Sequence, residues 1–113
     1  MGSSASSGAP MSRFVEIPVG RIDQLRVGTR RVVDTADGPV LVIVDDDGAH
    51  AIANVCPHHD AALDRGRYSH GLIACPWHQW LIDVRTGACM GIAKAVRTYA
   101  TIERDGMVVL VVD

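Results

Sequence analysis

VCPHHDAALDRGRYSHGLIACPWHQWLID, residues 55–83, holds the part of this 113-residue chain where regular patterning breaks off. Residues 55–79 contain two Cys-Pro pairs, four histidines and scattered glycine, with little periodicity. A loop-rich stretch of that length is uncommon inside a compact domain unless a functional group orders it. Cys56 and His58 are one residue apart, and Cys75 and His78 two apart, with sixteen residues between the pairs. Two such pairs on two loops can supply four soft or borderline ligands from opposite sides of a metal centre. Pro57 and Pro76 fix the backbone beside each cysteine, so each loop is partly preorganised. The residues alone also permit a structural Cys2His2 zinc site, or two ordinary buried thiols with two surface imidazoles.

Outward from that insert the signals are those of β structure. Residues 14–17 read as a short extended segment stopped by Pro18, and residues 20–25 as a single helical turn at most. Residues 30–34 and 40–44 are β-branched runs joined through Asp37-Gly38, a hairpin signal. Residues 45–48 predict a second turn before a strand at 50–54. Strands are predicted again at 80–84, 96–103 and 107–112, with turns at Thr86-Gly87 and Asp105-Gly106. The last, MVVLVV, is almost continuously apolar, as expected of a central, buried strand. No segment sustains a helical period over ten residues. The expectation is an all-β fold, an antiparallel β-sandwich carrying a loop-rich insert that needs its own glue.

The apolar share of 48% supports one domain with one modest core, and aromatics at 4% leave that core to aliphatic residues. The net charge of −2, without a basic run, gives nucleic acid no electrostatic foothold. No apolar run approaches the ~18 residues of a membrane span. Residues 1–10, MGSSASSGAP, have neither the basic start nor the apolar middle of a signal peptide. They read as a flexible tail or cloning remnant, giving an expected division into a tail at 1–12 and a domain at 13–113. Three cysteines without an export signal argue against a disulfide framework and for the cytoplasm.

The pattern C-x-H, sixteen residues, C-x-x-H resembles the Rieske iron–sulfur signature. The text around it agrees: CPWH, Asp83, Thr86-Gly87, Tyr99, Asp105-Gly106 and a final β run. The resemblance covers about residues 14–113 and is nearest to stand-alone Rieske ferredoxins and small Rieske-like reductase subunits. It implies one 2Fe–2S cluster, with Cys56 and Cys75 as thiolate ligands of one iron and His58 and His78 as imidazole ligands of the other. It also implies a β-sandwich in which residues 54–83 form the cluster-binding subdomain. Two neutral imidazoles in place of thiolates make reduction easier than in an all-thiolate ferredoxin. The implied function is one-electron carriage from an NAD(P)H-dependent reductase to an oxygenase or similar acceptor, with no catalysis by the chain itself. The alternative is a small Rieske subunit of a reductase complex, such as an NADH-dependent nitrite reductase. A catalytic oxygenase is excluded on parts: no second set of two histidines and a carboxylate is available, and no Gly-rich dinucleotide fingerprint.

Departures from the family pattern carry information. Ala61 and Trp77 stand where high-potential members form a disulfide, and Trp80 and Ile82 where they place hydroxyl donors to the cluster sulfurs. Fewer donors stabilise the reduced cluster less, so a potential near −150 mV rather than +300 mV is expected. Gln79 replaces a usual glycine, and residues 89–95 lack a proline-rich cover loop. Elsewhere, His59 reads as a solvent-facing or docking residue, His70 as the end of a surface loop, His50 as structural, and Cys89 as a buried free thiol. Trp77 and Trp80 are expected to pack over the cluster loops. Asp60, Asp64, Arg65 and Arg67 read as a solvated charge cluster.

Overall fold

The computed structural model describes residues 14–56, 61–76, 80–91 and 94–112. Among the described residues nine strands run in chain order: β1 Val15–Arg21, β2 Arg30–Thr35, β3 Gly38–Asp45, β4 Gly48–Ala53, β5 Tyr68–Ser69, β6 Leu72–Ala74, β7 Leu81–Asp83, β8 Thr98–Arg104 and β9 Met107–Val112. The only helical elements among the described residues are single 3-10 turns at Ile22–Gln24 and Leu63–Arg65. All pairing is antiparallel. The larger sheet has the order β1-β9-β8-β4-β3-β2, and β5-β6-β7 form a second sheet inside the insert.

The larger sheet folds over on itself where β4 meets β8, a junction paired only at Ala51↔Tyr99 and Ile52↔Thr98. Its two halves then face each other, and Val40 and Val42 of β3 share a core with Leu110 and Val112 of β9. This is the expected sandwich. Strand β3 is buried on both faces, because side chains alternate along a strand. Val40 and Val42 point into the sandwich; Leu41 and Ile43 point into a second core under the insert. Each fully buried aliphatic side chain of this kind contributes about 1.5–3 kcal/mol. One strand therefore serves as the common wall of scaffold and insert.

Four expectations need correction. Pro18 does not stop β1, which runs on through Gly20 to Arg21. The strand lies at the sheet edge, where a missing N–H leaves few ladder bonds unmade, and a register shift opposite Val108/Val109 absorbs an extra residue. Nor do strands resume only at residue 80: β5 and β6 make a tight hairpin through His70 (φ 51°) and Gly71 (φ 84°). Two successive positive φ angles match the right-handed strand twist, and in Ser-His-Gly-Leu the central His-Gly pair supplies them. The strand predicted at 80–84 is Leu81–Asp83. Asp64 is not a loosely solvated charge but is bonded to the buried Asn54. Strand β9 is central as expected, between β1 and β8.

Candidate metal centre

Each candidate ligand cysteine opens a loop whose ends are fastened the same way. The Cys56 N–H donates to the Ala61 carbonyl at 2.9 Å, and the Cys75 N–H to the Trp80 carbonyl at 2.8 Å. In both, the bond reaches five residues ahead. The sequence places His58 between the first pair of anchors and His78 between the second. Residues 57–60 and 77–79, and with them His58, His59, Asp60, Trp77, His78 and Gln79, lie outside the described residues.

The anchors are held from the scaffold. After Ala61 the chain makes the Leu63–Arg65 turn, with Leu63 fully buried. Arg30 of β2 donates to the carbonyls of Asp64 (2.7 Å) and Gly66 (2.5 Å). Asn54 and Asp64 bond reciprocally: Asn54 Nδ2 donates to Asp64 Oδ1 at 2.9 Å, and the Asp64 N–H to Asn54 Oδ1 at 2.8 Å. On the second loop, Ala74 and Leu81 are register partners of β6 and β7, so the sheet itself holds the loop's two stems together.

Cys56 and Cys75 are 2% and 0% exposed and belong to one apolar cluster with Leu41, Ile43, Ile52, Ile73 and Ile82. As neutral thiols they would be small hydrophobes; as thiolates in a dry site they require a metal to offset the buried charge. Two buried sulfur donors at the mouths of two fastened loops, each loop bearing a histidine, fit the donor set of a 2Fe–2S centre. Ile82 is fully buried and Trp80 packs against the same cluster, so neither position brings a hydroxyl to the site.

Cys89 joins this cluster at 4% exposure, through an isolated bridge with Ile82 of β7. It is a free thiol, as expected, and its nearness to the other two cysteines is something no sequence spacing announced. Burial pushes this thiol up, with the adjacent Cys56 and Cys75 adding to the effect. It therefore stays protonated and unreactive.

A polar clamp joins scaffold and insert at the far end of β3. Asp45 is buried; Tyr68 of β5 donates its hydroxyl to Asp45 Oδ1, and Arg85 Nη2 pairs with Oδ2 at 2.5 Å. Arg85 also reaches Asp47 (3.2 Å), which accepts from His50 at 2.8 Å. The carboxylates and His50 are close enough for a cation, but the Arg85 guanidinium already supplies the positive charge there. His50 is thus structural, as expected.

The Tyr68 hydrogen bond holds the Asp45 carboxyl below its ordinary value of 3.8. Burial, aided by that bond, pushes the Tyr68 phenol up to about 12. Because the folded value of Asp45 is depressed, its stabilisation is complete above the unfolded pKa and vanishes as pH falls through the lower folded one. Tyr68→Phe is therefore expected to move the midpoint of acid unfolding upward while leaving stability near pH 12 less affected. A pH series of denaturant melts checks this; an unchanged acid midpoint would count against the clamp.

Comparison with known proteins agrees with this geometry. The model of the Rieske [2Fe-2S] domain matches residues 15–103. The anthranilate 1,2-dioxygenase ferredoxin subunit of Burkholderia cepacia is 36% identical over 93 residues, covering 80% of this chain and 86% of that protein. Apoptosis-inducing factor 3 of Homo sapiens is 37% identical over 73 residues; the match takes in 65% of this chain but only 12% of that protein's length. Among solved structures, the ferredoxin of carbazole 1,9a-dioxygenase from Nocardioides aromaticivorans IC177 superposes with a TM-score of 0.76 at 32% identity, covering 85% of this chain and 96% of that one. With two buried cysteines at the head of two fastened loops on an antiparallel β frame, the chain belongs to the Rieske [2Fe-2S] domain family.

Proposed function

We propose that the chain is a one-electron carrier, holding one 2Fe–2S cluster on Cys56, His58, Cys75 and His78. It would take electrons from an NAD(P)H-dependent reductase and deliver them to an oxygenase or a similar acceptor, in the cytoplasm and without catalysis of its own. The observation that carries this reading is the burial of Cys56 and Cys75 in one apolar cluster, each at the head of a loop fastened to its own far end. Among the described residues no helix is long and apolar enough to cross a membrane. Residues 13–113 form the Rieske domain in this reading, 54–83 its cluster-binding subdomain, and 1–12 a tail.

When bound, the cluster supplies a single-electron couple. The chain's own part is to hold that couple rigid and dry on one flank. Leu41, Ile43, Ile73 and Ile82 exclude water from the thiolate side, and the Arg30 and Asn54 bonds hold the first loop in place. A rigid, preorganised site lowers the reorganisation that accompanies electron transfer, the same principle by which fixed dipoles favour catalysis.

Iron and acid-labile sulfide analysis of freshly purified protein tests the reading. Two irons and two sulfides per chain, with a rhombic electron paramagnetic resonance signal after reduction, are expected. A colourless protein with one zinc would overturn it. The kinship to a dioxygenase ferredoxin favours the free carrier over a fixed reductase subunit; a salt-resistant complex recovered from native extracts would reverse that preference. Cyclic voltammetry is expected to give a midpoint near −150 mV, because positions 80 and 82 offer the cluster no hydroxyl. A midpoint above zero would contradict that cause.

A further inference from the structure

The hairpin sheet β5-β6-β7 has two unlike faces. Tyr68, Ile73 and Ile82 form one cross-strand row directed into the core beneath the cysteines. The opposite face carries Arg67, Ala74 and Leu81 in one row and Ser69, Leu72 and Asp83 in the next. A groove of about 400 Å³ lies over it, lined by Arg67, Ser69, His70, Leu72, Ala74 and Leu81. Its floor is formed by Leu72, Ala74 and Leu81, of which Leu81 is 40% exposed.

The charge around this floor is the reverse of that of the whole chain. The net charge is −2, yet no carboxylate lines the groove. Asp83, beside Leu72 on this face, accepts the backbone N–H of Arg85 at 2.8 Å and is offset by the nearby Arg85 guanidinium, whose charged form it favours; Asp64 is bonded to Asn54. Arg67 on the rim and Arg65 just before it pair with no carboxylate of the described residues. The groove also touches the second ligand loop at both stems, since Ala74 precedes Cys75 and Leu81 follows Trp80.

We propose that this groove is the docking surface for a redox partner presenting an apolar side chain flanked by carboxylates. The inference rests on the electron-carrier reading and adds where the partner sits and what chemistry it offers. Opposite charge at the rim steers the encounter, and the apolar floor holds the partner beside the loop that bears His78. The local arginines prevail over the net charge because screening confines electrostatics to about 10 Å at 0.1 M salt.

The test uses the cluster-loaded protein on gold electrodes coated with mixed carboxylate- and methyl-terminated thiols, or with amine-terminated thiols. At 0.1 M salt, where screening keeps the interaction local, the carboxylate–methyl layer is expected to exchange electrons about tenfold faster than the amine layer, within the range of steering effects, although the protein is net negative. Arg67→Glu and Leu81→Ser should each cut that rate about tenfold, with absorption spectrum and midpoint potential unchanged. Arg21→Glu, at an exposed residue of β1 that does not line the groove, should leave it unaltered. If Leu81→Ser fails to load its cluster, Arg67→Glu decides alone. Faster exchange on the amine layer, or an Arg67→Glu protein indistinguishable from wild type on the carboxylate–methyl layer, overturns the proposal. Absence of iron or of any redox wave would instead overturn the carrier reading beneath it.

Discussion

Cys75→Ser is expected to yield a colourless protein with iron below one tenth of the wild-type content and no electron paramagnetic resonance signal on reduction. Cys75 is fully buried and stands between the short β6–β7 pairing and the second loop. Serine keeps the size and the backbone bond to Trp80 but replaces a soft thiolate by an alcohol that stays protonated near neutral pH. The effect is disproportionate because ligand sets act as units: the three remaining donors of the proposed set would leave one iron open to water. Its hydroxyl would also be buried among isoleucines without an assured partner, at a cost of about 1–3 kcal/mol. Wild-type colour in Cys75→Ser would remove the basis for a metal centre here. Cys89→Ser makes the contrast. It occupies the same cluster, yet is expected to lose stability without losing the chromophore, since no spacing pairs it with a histidine.

The second large effect is expected at a residue with no chemistry. Gly66 has ordinary backbone angles (φ −76°, ψ 165°), so no special conformation requires glycine there. What requires it is proximity. A Cβ on Gly66 would lie 1.8 Å from the carbonyl oxygen of Ala74, the residue before Cys75, and 3.2 Å from that of Leu63. Both obstacles are backbone and cannot rotate away. Gly66 also receives the Arg30 bond, while Ala74 donates its N–H to Arg67 at 2.8 Å. Gly66→Ala must therefore part the two ligand-bearing segments or break both attachments, for a loss of about 3 kcal/mol and much of the cluster content. Urea midpoints and iron content measured together check this. An alanine variant of wild-type stability would show that the two segments do not approach so closely.

Much of the fold was readable because it depends on local alternation. Residues 107–112 were set by composition as a buried central strand, and Asp37-Gly38 and Asp105-Gly106 mark hairpins through backbone conformations that few residues accept. Pro18 misled because the rule against proline in strands presumes an interior strand, and only the assembled sheet reveals that β1 lies on the edge. The β5–β6 hairpin was hidden because two- and three-residue strands are too short to display a period. The candidate ligands were legible for a different reason: Cys/His pairs separated by one and two residues narrow the donors by spacing, and the family resemblance names them as a set.

Taken by itself, the sequence determined the β class, the main turns and the four candidate ligands, all of which rest on residues near one another in the chain. Only tertiary structure decided the surroundings of those ligands. It buried Cys56, Cys75 and Cys89 together, set Arg30 and Asn54 against the first loop, clasped Asp45 between Tyr68 and Arg85, and brought Gly66 against Ala74. Such contacts join residues distant in sequence, and their energies depend on burial and approach, which no local pattern encodes.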